Sequence, residues 1–266
     1  MSDWHAIFLA LVQGITEFLP ISSSGHLILV PALLGWEDQG LAFDVAVHVG
    51  TLLAIVLAMW HRLWPVLRDG VPTLWTFKLT TPNARLAWGI VVGTIPVGIV
   101  GLVFKDFIEV NLRGPLVIAA TTVGFGFVLW WADRHAKCAK SLDQLSWVDY
   151  LLVGLAQCLA LIPGTSRSGI TISMALMMGV NRKSAAEFSF LLAVPAVLLP
   201  GLLKSYELAQ SGLSIDWRPM LIGMLVSFVS AWIVTKLFLR WIEVLPMSWF
   251  FVYRLLLGAW LIIVFA

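Results

Sequence analysis

The chain has 266 residues, of which 60% are hydrophobic and only 12% charged, and its mean hydropathy is +0.93. Soluble globular proteins carry roughly 25% charged residues, so the composition excludes that class and indicates an integral membrane protein. The net charge of +2 is too small to suggest nucleic-acid binding, and the 14 tryptophans suit interfacial belts better than a soluble core.

The first apolar stretch, residues 4–19, runs into "PISSSGH" and resumes over 25–36. The N-terminus lacks a basic leader and a small-residue cleavage site, which argues against a removable signal peptide. Three candidate spans follow, at 41–61, 85–104 and 115–132, each close to the roughly 20 apolar residues a crossing needs. A second interrupted stretch covers 147–162, breaks at "PGTSRSG" and resumes over 168–180. Three further spans are expected at 186–204, 219–240 and 247–265. Breaks inside a membrane are tolerated only where they are buried in protein or line a wet cavity. Both interrupted regions are therefore expected to be re-entrant helical hairpins with polar tips at membrane depth.

The two broken regions match at an offset of 144 residues: Gln13 with Gln157, Ser22 with Ser166, Ser24 with Ser168, Gly25 with Gly169, Ile28 with Ile172 and Gly35 with Gly179. The pattern reads as an internal repeat, with halves at about 1–132 and 147–266 joined by a loop 133–146 in one membrane domain. Paired, broken segments in the two halves point to a binding site between them.

Loop charges predict orientation. The loop 61–85 carries Arg62, Arg68, Lys78 and Arg85 against Asp69, and the loop 133–146 carries Arg134, Lys137 and Lys140 against Asp133 and Asp143. Both are expected to be cytoplasmic. The loop 105–114 is balanced, and the loop 205–218 sets Glu207 and Asp216 against Arg218, which suits the outer side. The repeats are then inverted, with both termini outside. The expected fold class is an all-α polytopic membrane protein with an inverted-topology repeat, about six transmembrane helices and two re-entrant hairpins.

The second tip has the makings of a phosphate cradle. Pro163 and Gly164 end one helix, and Gly169 opens the next. A helix N-terminus attracts anions. Arg167 adds a planar charged fork suited to phosphate oxygens, and Thr165, Ser166 and Ser168 add hydroxyl donors. Glycine allows close backbone approach. The plain alternative is a capping turn with a snorkelling arginine, but Arg167 lies far from either end of its apolar surroundings, where charges are functional by default.

The first tip supplies complementary groups. Gln13 and Glu17 share a helix face at i,i+4, and Pro20 ends that helix. Ser22, Ser23 and Ser24 precede His26 in the first turn of the next. A carboxylate at this depth needs a cation, Arg167 or a proton. His26 can act as acid, base or nucleophile, and a serine beside a base is a potential nucleophile.

Elsewhere, Asp44 with His48, and Glu187 with Ser189, read as structural polar rungs in preference to helpers in metal binding. Arg182 and Lys183 read as positive-inside anchors. Arg254, seven residues into the last apolar segment, is expected to snorkel to the cytoplasmic interface or pair with a buried acid. Cys138 and Cys158 lack metal or redox spacing, and the aromatic runs "FGFVLWW" and "SWFFVY" are ordinary lipid-facing or interfacial aromatics.

The motifs "QGITEFLPISSSGH" and "PGTSRSG", in this order and separation, resemble those of the undecaprenyl-diphosphate phosphatase family, the bacitracin-resistance proteins. The similarity extends from about residue 4 to the C-terminus and includes "FDVAVHVGTLLA" and "EFSFLLAVP". The resemblance implies hydrolysis of undecaprenyl diphosphate to the monophosphate and inorganic phosphate, recycling the lipid carrier for cell-wall precursors. It also implies competition with bacitracin for that lipid, an outward-opening site in the bacterial inner membrane, and dependence on a divalent cation, Mg2+ or Ca2+; Glu17 is expected to hold that metal or to orient His26. A homodimer is compatible with it. Catalytic roles carry over to Glu17, His26, Ser166 and Arg167, with Ser23 as a proposed nucleophile; Gln13, Ser22, Ser24, Gly25, Gly164, Thr165, Ser168 and Gly169 are expected to bind substrate. The family allows glutamate or glutamine at its first acidic position, and here Gln13 leaves Glu17 as the single carboxylate of the motif. A transporter or lipid flippase can use the same arginine and helix ends, but it has no need of the histidine and serines facing them. A purely structural membrane subunit is disfavoured by the ionisable groups gathered at two breaks.

Overall fold

A computed structural model describes residues 1–76, 78–210 and 216–266. The described residues form twelve α-helices, with an isolated bridge between Lys140 and Val180 as the sole β pairing among them. In chain order these are α1 (Asp3–Thr16), α2 (Ser23–Leu34), α3 (Gly40–Ala58), α4 (Trp60–Gly70), α5 (Thr73–Thr76), α6 (Pro82–Asn111), α7 (Pro115–His135), α8 (Trp147–Gln157), α9 (Arg167–Met177), α10 (Arg182–Gln210), α11 (Trp217–Trp241) and α12 (Ser248–Phe265).

Six of them, α3, α6, α7, α10, α11 and α12, are long and apolar enough to cross a membrane, and they coincide with the six expected spans. The chain is an all-α polytopic membrane protein. At about 1.5 Å per residue, the 11 to 14 residues of α1, α2, α8 and α9 reach only about 17–21 Å. None crosses a hydrocarbon core of about 30 Å by itself.

Local chemistry sets the helix ends. The Ser2 hydroxyl accepts from His5 N at 3.2 Å and starts α1, with Asp3 favourable in the first turn. Thr81 caps α6 ahead of Pro82, and Pro115 opens α7, where a missing N–H costs nothing. Ser146 and Asp149 form a reciprocal capping box at α8, and Lys140 reaches both Asp149 oxygens at 3.0 and 3.1 Å.

The expected loops are more helical than their charge suggested. Residues 61–85 contain α4 and α5, with Leu63 and Val66 of α4 turned inward. The stretch 105–114 is largely the end of α6, and α10 runs to Gln210; the rest of the expected loop to residue 215 lies outside the described residues. No glycine or proline interrupts these charged helix ends, so the backbone ladder continues past the apolar stretch.

Backbone anomalies recur at the 144-residue offset. Ser22 and Ser166 have φ of 74° and 71°, and Gly35 and Gly179 have φ of 67° and 83°. The glycines close α2 and α9 in the left-handed conformation expected just past a helix end. The serines lie at the two breaks, where a left-handed non-glycine residue costs on the order of 1–3 kcal/mol.

The halves are packed crosswise. In the second half, α11 lies against α1 and α3 of the first; in the first half, α6 lies against α8 and α10 of the second. Small residues allow the close approach: a Cβ on Gly14 would strike Ser230 of α11, and one on Gly154 would meet the Gly93 backbone of α6. A run of edge-on and tilted rings, Phe18–Phe190–Phe238–Phe250, with centroids 5.5–5.9 Å apart, ties the first break to α10, α11 and α12.

Candidate active site

At the first break, α1 gives way to a turn in which Glu17 stays helical and its N–H donates to Gln13 O at 2.9 Å. The Gln13 side-chain amide donates to Glu17 Oε2 at 3.0 Å. The Ser23 hydroxyl, at the first position of α2, donates to the same oxygen at 2.6 Å. Glu17 is thereby oriented from two sides and faces Ser23 as a hydrogen-bond acceptor.

At the second break, Gly164 has φ of 90°, and a Cβ there would strike Thr121 of α7. Ser166 caps α9 by accepting from Gly169 N at 3.1 Å. Arg167 follows. Its Nη1 donates to Ser189 O at 3.2 Å, and its Cζ lies 5.9 Å from the Phe18 ring centroid. Its Nη2 stands 3.5 Å from Glu17 Oε1 and, although buried, has no hydrogen-bond partner among the described residues. The two breaks meet directly: Ser168 Oγ donates to Leu19 O at 3.0 Å.

The breaks face a cavity of about 220 Å³, whose lining includes Glu17, Ser22, Ser23, Ser24, Ser166 and Arg167. Asp44 and His48 of α3, Gln157 of α8 and Lys204 of α10 complete its polar wall, and Val97, Val197 and Leu161 give it an apolar side. Six of the expected site residues are thus brought to one surface. Asp44 and His48, first read as a structural rung, also reach it.

The other expected residues stand behind this surface. Gln13 is buried and orients Glu17. Thr165 is buried with its hydroxyl unpartnered among the described residues, and Ser168 is spent on Leu19. Gly25 and Gly164 pack break against break, and Gly169 makes room at the start of α9. His26 is absent from the cavity lining. Its Nδ1 lies 2.7 Å from Ser22 O and its Nε2 2.5 Å from the Tyr253 hydroxyl, with the rings nearly parallel at 5.8 Å. A carbonyl only accepts, so Nδ1 carries a proton; in the neutral ring Nε2 then accepts from Tyr253.

Arg254 does not snorkel, and it meets no acid among the described residues. It is fully buried and donates to backbone carbonyls of α7 and of both breaks. Sequence alone gave no signal for those partners, because carbonyls exist at every position and only the tertiary fold selects which are left unbonded. Glu187 likewise leaves the expected pattern: it pairs with Arg62 of α4 at 3.2 Å.

For a divalent cation the donors are sparse but suitable. No group of three or more His, Cys, Asp or Glu gathers among the described residues. Glu17 gives one carboxylate, and Gln157 also lines the cavity, its buried Oε1 without a partner among the described residues. An oxygen-only set with one carboxylate suits Mg2+ that shares its remaining positions with water and phosphate.

Residues 6–260 match the family model described as bacitracin resistance protein BacA. The chain belongs to the BacA family. Similar relatives include undecaprenyl-diphosphatase 1 of Pseudoalteromonas translucida, 51% identical over 99% of this chain and 98% of the relative. Undecaprenyl-diphosphatase 2 of Stutzerimonas stutzeri is 49% identical over 98% of this chain and 97% of its own length. The undecaprenyl-diphosphatase of Chromohalobacter salexigens is 50% identical over 98% of both. The BacA match spans both breaks, five of the six long helices and most of α12.

Proposed function

We propose that the chain is an undecaprenyl-diphosphate phosphatase. It hydrolyses undecaprenyl diphosphate to undecaprenyl phosphate and inorganic phosphate, which returns the lipid carrier to peptidoglycan synthesis and accounts for bacitracin resistance. One observation carries the reading furthest: Arg167, a nearly buried guanidinium whose Nη2 has no hydrogen-bond partner among the described residues, lines the same cavity as Ser23, a serine hydrogen-bonded to a carboxylate. A site of this kind suits an anion that must also react.

In the mechanism we favour, the Ser23 hydroxyl attacks the terminal phosphorus. A bond forms from Ser23 Oγ to phosphorus, the bond to the bridging oxygen breaks, and undecaprenyl phosphate leaves with that oxygen. Glu17, already the acceptor of the Ser23 proton at 2.6 Å, takes it as a general base. Water then cleaves the phosphoserine, giving inorganic phosphate and restoring Ser23. Arg167 and the α9 N-terminus stabilise charge on the transferred phosphoryl oxygens. Ser22, Ser24 and Ser166 offer further donors from the cavity wall. The placement of His26, off the cavity and between Ser22 and Tyr253, favours Ser23 over His26 as nucleophile and gives His26 a supporting part. A divalent cation bound at Glu17 and Gln157 would neutralise diphosphate charge.

We further propose that the broken helices are re-entrant hairpins of an inverted repeat, and that the cavity opens to the outer face of the inner membrane. The loop charges and the recurrence of backbone features at the 144-residue offset support this. The polyprenyl tail then stays in lipid while the headgroup enters between helices, and bacitracin competes for the same headgroup.

The decisive experiment is release of inorganic phosphate from undecaprenyl diphosphate by the detergent-solubilised protein, where no gradient exists. Turnover is expected. Specific binding of the lipid without phosphate release would overturn the hydrolase reading in favour of a carrier.

A further inference from the structure

We propose that Arg254 is a positioning residue for this site: it holds the two polar breaks in register, so that Glu17 and Ser23 from one meet Arg167 from the other. The inference rests on the hydrolytic reading only through the groups that it aligns.

Arg254 is 0% exposed. Its Nε donates to Thr122 O of α7 at 2.8 Å. Its Nη1 donates to Pro20 O of the first break at 3.2 Å. Its Nη2 lies 2.9 Å from both Gly164 O and Thr165 O of the second break, with Thr121 O further off at 3.4 Å. No carboxylate pairs with it among the described residues. A buried charge without a counter-ion is expensive, so something other than plain packing retains it.

The carbonyls explain the choice of residue. A helix broken inside a membrane leaves carbonyls that no water reaches. Arg254 satisfies three of them, one from the first break and two from the second. A guanidinium is rigid and planar, with donors at fixed angles. Segments that share it are fixed relative to one another as well as to α7. A lysine ammonium is compact and cannot span the same set. The surroundings are built around it: a Cβ on Gly126 would lie 3.2 Å from Arg254 Nε, and one on Gly169 would lie 3.1 Å from Nη1.

Arg254 is not part of the cavity lining, so it acts through the breaks and not on the substrate. Small misplacements of reacting groups cost about 100-fold in rate. The test compares wild type, Arg254→Met, Arg254→Lys and Gly126→Ala in detergent. Phosphate release from undecaprenyl diphosphate is measured per monodisperse, folded molecule. Arg254→Met is expected to lose about 100-fold in kcat with little change in KM. Arg254→Lys should recover part of that loss, and Gly126→Ala, which crowds the arginine without removing it, should lose several-fold. A residue that only stabilises the fold would lower the thermal midpoint and leave kcat per folded molecule intact. Values of kcat within threefold of wild type for Arg254→Lys and Gly126→Ala would overturn the proposal, even if Arg254→Met does not fold. An inactive wild type would instead sink the hydrolase reading. The positioning role is then read from affinity for inorganic pyrophosphate, expected to weaken about tenfold in the same two variants; unchanged affinity would overturn it.

Discussion

Arg167 Nη2 stands 3.5 Å from Glu17 Oε1, an ion pair in which Nη2 is not committed to a well-formed hydrogen bond. Both groups are nearly buried, and each comes from a different one of the two helix breaks. Glu17 spends its other oxygen on Gln13 and Ser23. Arg167 keeps its Nη2 donors free. The pair therefore neutralises itself at a distance while presenting a hydroxyl and a guanidinium to the same cavity.

Removal of the cation should separate catalysis from folding. Arg167→Ala is expected to lower kcat/KM by about 1,000-fold or more, as loss of an oxyanion-stabilising donor does. It also leaves Glu17 buried without its partner, which costs on the order of 3–5 kcal/mol. Phosphate release and thermal unfolding of the same sample read the two effects. Near-normal turnover would contradict the phosphate-clamp role.

The serine route predicts a covalent intermediate. Ser23→Ala should reduce turnover by about 1,000-fold or more, and rapid quench with labelled lipid diphosphate should place phosphate on Ser23 in the wild type. Full turnover in Ser23→Ala, with no trapped label on the protein, would leave direct attack by water.

His26 and Tyr253 should behave as one unit, because each is the hydrogen-bond partner of the other. Tyr253→Phe is expected to cost about tenfold or less, and His26→Gln more than that but less than Ser23→Ala. The double variant should cost little beyond His26→Gln alone. A loss in His26→Gln equal to that in Ser23→Ala would restore the histidine to the reacting centre.

If Glu17 and Gln157 hold a cation, chelation should abolish turnover, and added Mg2+ should raise the thermal midpoint of the wild type in the presence of pyrophosphate. The shift is expected to vanish in Glu17→Gln and to shrink in Gln157→Leu. An equal shift in all three proteins would place the cation elsewhere.

Outside the membrane-spanning segments, Asp69 of α4 carries a pH-dependent part of stability. A hydrogen bond from Asn83, followed by one from Arg68, holds its carboxyl below the usual carboxylate range. A depressed folded value means that the contribution is present above about pH 4 and disappears as pH falls through the folded value. The thermal midpoint of Asp69→Asn should therefore fall less between about pH 5 and pH 3 than that of the wild type. Parallel slopes would refute this.

Much of this was legible in the sequence. All six spans, and both breaks, follow from where apolar runs persist or fail, because hydrocarbon permits little else. Glu17, the three serines, Ser166 and Arg167, which line one cavity, stood out in the sequence because polar residues inside apolar runs are costly unless they serve a purpose. What was illegible depends on side-chain direction or on non-local partners. His26 shares a helix turn with Ser23, yet its ring is drawn away by Ser22 O and Tyr253. Arg254 looked like an interfacial cation because its acceptors are backbone carbonyls from remote segments. The crosswise packing of α6 and α11 left no trace in hydropathy, which reports burial in lipid but not choice of neighbour.

That crosswise packing has a consequence for biogenesis. The first break leaves the ribosome with Glu17 in place, but Arg167 and Arg254, and the α11 face that covers Gly14, are all synthesised much later. The contacts that complete the site cannot form until α9, α11 and α12 have been made, and separately expressed pieces 1–132 and 147–266 are expected to regain a complete site only when they meet in the same bilayer.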